Sequence, residues 1–463
     1  MSMTREMRRD DTADGVPPDS RHDAVSRMLG SRAEAEAYVA SVCFKHGPPQ
    51  LVGVELEWMA YRPDDPRALV DPLALRAALG PHAPVSLDPS SSATPLPAGC
   101  AVTVEPGGQV EIASPPLPDL GSLVRSVEAD AGYLHTLLAD ADLRVHPRAA
   151  DPLRPARRVL DLPRYRAMEC VFDRVGPHGR SGMCSTSAVQ VCLDAGPAER
   201  VAGRWATLHE MGPALVAAFA NSPVQHGRRT GWKSTRMACW LSLDPCRTAP
   251  PPLDGRDPAQ AWAERVVSTP LLCVRGEDRW DVPPSVTFAD WVDGHRRDGA
   301  LDRPPTTADL DYHVSTLFPP VRPHGHVEVR YVDGQAGADW ALPAAVLLAL
   351  TSSPRIESRV RDVCAPVRDR WVPAARDALA DPPLARAAGE LFGMACDVLR
   401  GAATGDGLAW GPVDVVDRLE RVTEQRVLRG LCPADVPDAH EADLPAGGPD
   451  TPFPPGLHEP APA

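Results

Sequence analysis

The stretch Val102–Pro116, VTVEPGGQVEIASPP, decides the fold. It reads as a strand, a turn on Pro106-Gly107-Gly108 and a return strand, because the flanks alternate apolar with polar while proline and glycine allow the reversal. Glu105 and Glu111 flank the turn, with Gln109 between them. Taken alone, the pattern fits a hairpin at a wet sheet edge first and a metal-binding catalytic edge second.

Three other stretches share the habit: LVGVELEWMA (51–60), SAVQVCLDA (187–195) and HVEVRYVD (326–333). Successive strand side chains point to opposite faces. Gly53, Glu55 and Glu57 therefore oppose Val52, Val54, Leu56 and Trp58, and Gln109 and Glu111 oppose Val110 and Ile112. Gln190 and Cys192 oppose Val189, Val191 and Leu193, and Glu328 and Arg330 oppose Val327, Val329 and Tyr331. By the same count Glu105 shares a face with Thr103.

A water-facing side of a half-buried sheet explains each strand singly. The identities are unusual for such a face, however: Glu, Gln and Arg recur, and Lys45 and Lys233 are the only lysines in the chain. Two glutamates two residues apart repel unless a cation lies between them. Hard divalent ions such as Mg²⁺ take carboxylate oxygens and keep positions for water and phosphate. A ring of Glu55, Glu57, Glu105, Glu111 and Glu328 makes sense as a metal-loaded platform for a polyphosphate. The segment HGRRTGWKSTRMACW (226–240) adds Arg228, Arg229, Lys233 and Arg236 to an otherwise acidic chain. It reads as a solvated loop, or as a source of cations for substrate carboxylate or phosphate.

Helical periodicity fills the intervals. It predicts helices over 120–141, over 198–220 with Asn221-Ser222-Pro223 as the stop, and over much of 373–430, where Pro382-Pro383 interrupts. Strands separated by helices, with hairpins among them, predict an α+β class with an antiparallel or mixed sheet. No Gly-rich phosphate loop of the two common kinds occurs, which removes the usual dinucleotide and P-loop readings.

The 463 residues carry a formal net charge of -14, which argues against general affinity for nucleic acid or an anionic membrane. The run WALPAAVLLAL (340–350) is too short to span a bilayer and reads as a buried helix. Eleven scattered cysteines without a C-x-x-C pair and an N-terminus without an apolar core point to reduced thiols and a cytoplasmic protein. Residues 1–22 read as a disordered charged tail, 23–432 as one catalytic domain, and 433–463 as a Pro- and Asp-rich flexible tail. His324 and His326 form an H-x-H pair at a strand entry that reads as structural or surface rather than as a zinc site.

These segments together resemble the plant- and proteobacterial-type glutamate–cysteine ligases. The resemblance runs from about residue 50 to 350 and rests on six blocks in order. They are GVELEW, VTVEPGGQVEIASPP, YRAMECVFDRVG (165–176), AVQVCLDA, AAFANSPV (217–224) and STLFPPVRPHGHVEVRYVDG (315–334). The actinobacterial branch that makes γ-glutamylcysteine for ergothioneine looks closest. The resemblance implies a glutamine-synthetase-like fold, a curved antiparallel or mixed sheet forming a funnel covered by helices. It implies ATP-dependent joining of L-glutamate to L-cysteine through a γ-glutamyl phosphate, with Mg²⁺, in a monomer or homodimer. It further implies Glu55, Glu57, Glu111 and Glu328, and less firmly Glu105, as metal ligands. Arg236 and Arg330 fall where cations meet the substrate carboxylate or phosphoryl group, and Gln109 and Gln190 on the substrate side. Cys192 departs from the family's common Asn, and Lys233 has no counterpart. Two other readings keep the fold: a γ-glutamyl ligase using a different amine, and a catalytically silent glutamate- or nucleotide-binding relative.

Overall fold

The alternating stretches fold as the strands their period dictates. The computed structural model describes residues 26–47, 51–276, 280–294, 301–404 and 413–437. The strands are β1 (Val52–Tyr61), β2 (Ala101–Val104), β3 (Gln109–Ala113), β4 (Arg144–Val145), β5 (Ala188–Leu193), β6 (Val224–Gln225), β7 (Arg228–Arg229), β8 (Val321–Pro323) and β9 (Val327–Asp333). A seven-stranded sheet runs β2-β3-β1-β5-β9-β8, with β4 paired to β1, and β6 and β7 form a separate ribbon. The pairings are antiparallel throughout. With helices on both of its faces, this is the expected α+β class.

One face of the sheet is apolar and carries the core. Val54, Leu56, Val110, Ile112, Val191 and Val329 are buried on it, each adding about 1.5–3 kcal/mol by leaving water. Three helices cover this face: Leu120–Asp140 against β1, Ala341–Leu350 against β5 and Gly212–Phe219 against β9. The first begins where Asp119 accepts the amide of Ser122 at 2.7 Å, a side-chain cap for an otherwise unpaired donor. The second is the apolar run 340–350, buried almost end to end. Among the described residues no helix is long and apolar enough to cross a membrane.

One helix boundary differs from the periodic reading. The helix expected over 198–220 is two, Ala198–Glu210 and Gly212–Phe219. Pro213, which has no amide hydrogen, sits at the start of the second, where the missing donor costs nothing. The interruption expected at Pro382-Pro383 is present: helical turns end at Ala380 and the pair opens the helix Pro382–Thr404, which Asp381 caps by accepting the amide of Leu384 at 3.1 Å.

The C-terminal boundary also moves. Residues 433–437 are docked on the body: Arg148 donates to the carbonyls of Pro433 (3.0 Å) and Val436 (2.6 Å), and Lys233 pairs with Asp435. Residues 433–437 therefore belong to the folded body and not to the flexible tail expected from 433, and 438–463 and the tail 1–22 lie outside the described residues.

β9 breaks the period. Val191 pairs with Val329 but Val189 pairs with Val332, so β9 carries an extra residue there, a β-bulge. Tyr331 and Val332 are consequently both buried among the helices, and Asp333 returns to the polar side opposite Ala188. A strict count of two would have put Asp333 with Val327, Val329 and Tyr331.

Candidate active site

The polar face is also covered, by helices Pro163–Val175, Pro177–Cys184 and Thr235–Leu241. Between them and the sheet lies a cleft whose empty space, open solvent at its mouth included, is about 610 Å³. Of the residues expected from sequence, Glu57, Glu105, Gln109, Glu111, Gln190, Arg236 and Arg330 line it, while Glu55 and Glu328 do not.

The hairpin is anchored, which settles its status as something other than a wet edge. Glu105 donates its amide to the carbonyl of Gln109 at 2.8 Å, and Gly108 turns back with φ at 87°. Gly107 is obligatory: a Cβ there would lie 2.0 Å from the carbonyl oxygen of Cys184. The amides of Val159 and Leu160 reach the carbonyl of Pro106. Gln109 is spent on the same task, accepting from the amide of Gly107 and donating to the carbonyls of Met183 and Thr186. Its amide clamps the turn, so the substrate contact expected of it is not what this geometry provides.

Register brings the acids together. Glu57 stands opposite Glu111, and Thr103 stands opposite Glu111 on its other side. Glu57 accepts from the amide of Ala188 at 2.9 Å and from the Gln190 side chain at 2.8 Å. Glu111 accepts the Thr103 hydroxyl. Burial pushes the Glu111 carboxyl well above the ordinary carboxylate range, and the charges of Glu55, Glu105 and Glu57 push the same way. Acids crowded around the buried Glu111 suit a hard cation, and oxygen donors are the set Mg²⁺ prefers. Among the described residues no group of three His, Cys, Asp or Glu side chains is already arranged to hold a metal ion. The donor chemistry fits, but the side chains have not converged on one point.

Glu328 has a different environment. Arg322, its register partner on β8, donates to it twice at 2.9 and 3.2 Å, and Arg330 pairs with it as well. Burial alone would raise its carboxyl; the two guanidiniums outweigh that and hold it well below the usual range. It is an anchor for arginines and does not face the cleft with the other acids. Cys192 lies between Gly53 and Glu328 in the register, outside the cleft lining.

The cationic end is built by helix starts. Ser234 caps Thr235–Leu241, accepting the amide of Met237 at 3.1 Å, which puts Arg236 in the first turn. The Arg236 guanidinium is buried, donates to the carbonyl of Arg330 at 2.7 Å, and leaves its Nε without a partner. Arg164, which sequence reasoning missed, follows Pro163 at the start of its helix and is held by the hydroxyl (3.0 Å) and carbonyl (2.9 Å) of Ser315. Its one sequence signal is its position directly before the block that starts at Tyr165. Met168, Met183, Trp240 and Phe318 close the remaining side with apolar surface. The buried oxygen of Gln190 has no hydrogen-bond partner, so it offers an acceptor to whatever fills the cleft.

Carboxylates, guanidiniums and an apolar wall thus line one cleft over the polar face of the antiparallel sheet. The chain belongs to the family described as glutamate–cysteine ligase family 2 (GCS2), which matches residues 51–438. The glutamate–cysteine ligase EgtA of Mycobacterium tuberculosis is 37% identical over 415 residues, 88% of this chain and 90% of that protein. EgtA of Mycolicibacterium smegmatis is 38% identical over 368 residues, 79% of this chain and 84% of its own. A chloroplastic glutamate–cysteine ligase B of rice is 27% identical over 255 residues, 53% of this chain and 50% of its own.

Proposed function

We propose that this protein joins L-glutamate to L-cysteine at the expense of ATP, giving γ-glutamylcysteine, ADP and phosphate, and that the product serves ergothioneine synthesis. The observation that carries the reading is one cleft lined by three carboxylates (Glu57, Glu105, Glu111) and three guanidiniums (Arg164, Arg236, Arg330). It is supported by the 37–38% identity to the two mycobacterial ligases over most of the chain.

The γ-carboxylate oxygen of glutamate attacks the terminal phosphorus of ATP and ADP leaves. The cysteine amine then attacks the acyl carbon, the C–N bond forms and phosphate departs. Glu57, Glu105 and Glu111 are the residues that would hold Mg²⁺, which when bound neutralises phosphate oxygens. Arg236 and Arg330 meet the transferring phosphoryl or the substrate carboxylate, where fixed cations stabilise developing charge. The apolar wall limits water at the acyl phosphate. The catalytic body spans 23–437, works in the cytoplasm as a monomer or homodimer, and uses no nucleic acid or membrane partner.

The test is ADP release with Mg²⁺, ATP and glutamate while the amine is varied. Strong stimulation by cysteine is expected; preference for another amine overturns the acceptor assignment, and no turnover with any amine overturns the ligase reading.

A further inference from the structure

Each cleft arginine donated by this half of the site has a carboxylate of β9 behind it. Arg330 rests on Glu328, and Arg236 lies 3.8 Å from Asp333. Asp333 reaches that place only through the bulge that turns it to the polar side. It is 2% exposed, and its carboxylate is oriented by three neutral donors. The amide of Asn221 and the hydroxyl of Ser222 bind Oδ2, and the hydroxyl of Ser234 binds Oδ1, each at 2.8 Å.

We propose that Asp333 is a positioning residue for the ligation, holding the Arg236 guanidinium at the substrate end of the cleft and off Glu57. The inference rests on the ligase reading above. Three features carry it. First, at 3.8 Å the contact is one of charge, too long for a hydrogen bond, so Asp333 attracts Arg236 without consuming its donors. Second, Asp333 and Glu57 are the two carboxylates whose charge acts most strongly on Arg236. Were Arg236 to close on Glu57, the acid and arginine ends would cancel, and neither cation nor phosphoryl oxygen would be bound. Third, the donors to Asp333 come from both ends of the loop 222–234. The amide of Ser222 also reaches the carbonyl of Lys233 at 3.0 Å, and the amide of Arg236 reaches the Ser222 hydroxyl at 3.1 Å. Asp333 therefore fixes the backbone that carries Arg236 as well as its charge.

The experiment is a double-mutant cycle on ADP release using Asp333→Asn and Arg236→Gln, with thermal melts of every variant. Asp333→Asn alone should lower kcat about 30-fold with little change in the KM for ATP. In the Arg236→Gln background, which has no charge at this position, the same change should cost less than about 3-fold, because the interaction it removes is already gone. Equal losses in both backgrounds overturn the proposal. If Asp333→Asn does not fold, Ser234→Ala, which deletes one donor to the carboxylate, enters the same cycle, and equal losses again overturn it. Should the wild-type protein turn over with no amine, the ligase reading fails separately. The cycle is then read on ATP binding by calorimetry, where additive losses overturn the positioning role and non-additive ones uphold it.

Discussion

Glu111 and Glu328 sit fully buried on the same face of one sheet and have opposite fates. Glu111, near the hairpin edge, is opposed by Glu57 and neighboured by Glu55 and Glu105, and its carboxyl is pushed up. Glu328, three strands away, is opposed by Arg322 and flanked by Arg330, and its carboxyl is held down. The residue type, the burial and the face are the same. The partner across the ladder decides which acid waits for a cation and which already has its counter-charge.

The largest effect that separates the two is catalytic. Glu111→Gln, and likewise Glu57→Gln, should lower ADP release by roughly 10³-fold or more. The melting temperature without metal should stay level or rise, since a repelled carboxylate is gone. Near-normal turnover would break the acid-end assignment. Glu328→Gln should do the reverse in kind, costing roughly 3–5 kcal/mol of stability in a urea melt because the buried Arg322 and its half-buried neighbour Arg330 lose a shared carboxylate. An unchanged melt would show that Arg322 and Arg330 do not depend on it.

A milder test needs no turnover. Mg²⁺ at about 100 times its dissociation constant should raise wild-type stability by about 2.7 kcal/mol, and Glu111→Gln should abolish most of that rise while Asp173→Asn, on the exposed face of its helix, leaves it intact. The smallest effect lies outside the cleft. His209 is buried and neutral, with burial holding its imidazole down to about 4. The unfolded chain binds its proton near 6.5, so this residue's contribution is complete above that pH and is lost as pH falls toward 4. The loss is about 2 kcal/mol by pH 5. His209→Gln should flatten that acid limb in a pH series of melts and leave the contrast between Glu111 and Glu328 at pH 7 unchanged.

Face assignment was legible in the sequence because a period of two is a property of the backbone. Glu57, Glu111, Gln190 and Arg330 fall on the polar side as counted. What the period does not carry is register. It placed Glu328 among the acids, and only the pairing with Arg322 separates it from them. Nor does the period survive a bulge, which is why Asp333 was invisible as a site residue. Arg164 had no pattern of its own, being one arginine among many until Ser315 and the cleft fix it. Gln109 was found on the right face, yet its amide turned out to serve the turn, since a side chain's face says nothing about which donor reaches it first.

The cleft's cations have one more consequence. All three are arginines, and neither Lys45 nor Lys233 lines the site. A guanidinium stays protonated and is a poor nucleophile, whereas a lysine amine made reactive by burial would compete with the acceptor for an activated acyl group. A site that generates such an electrophile gains from having no lysine among the described residues that line it, since a lysine there would be a target for acylation and a rival to the incoming amine.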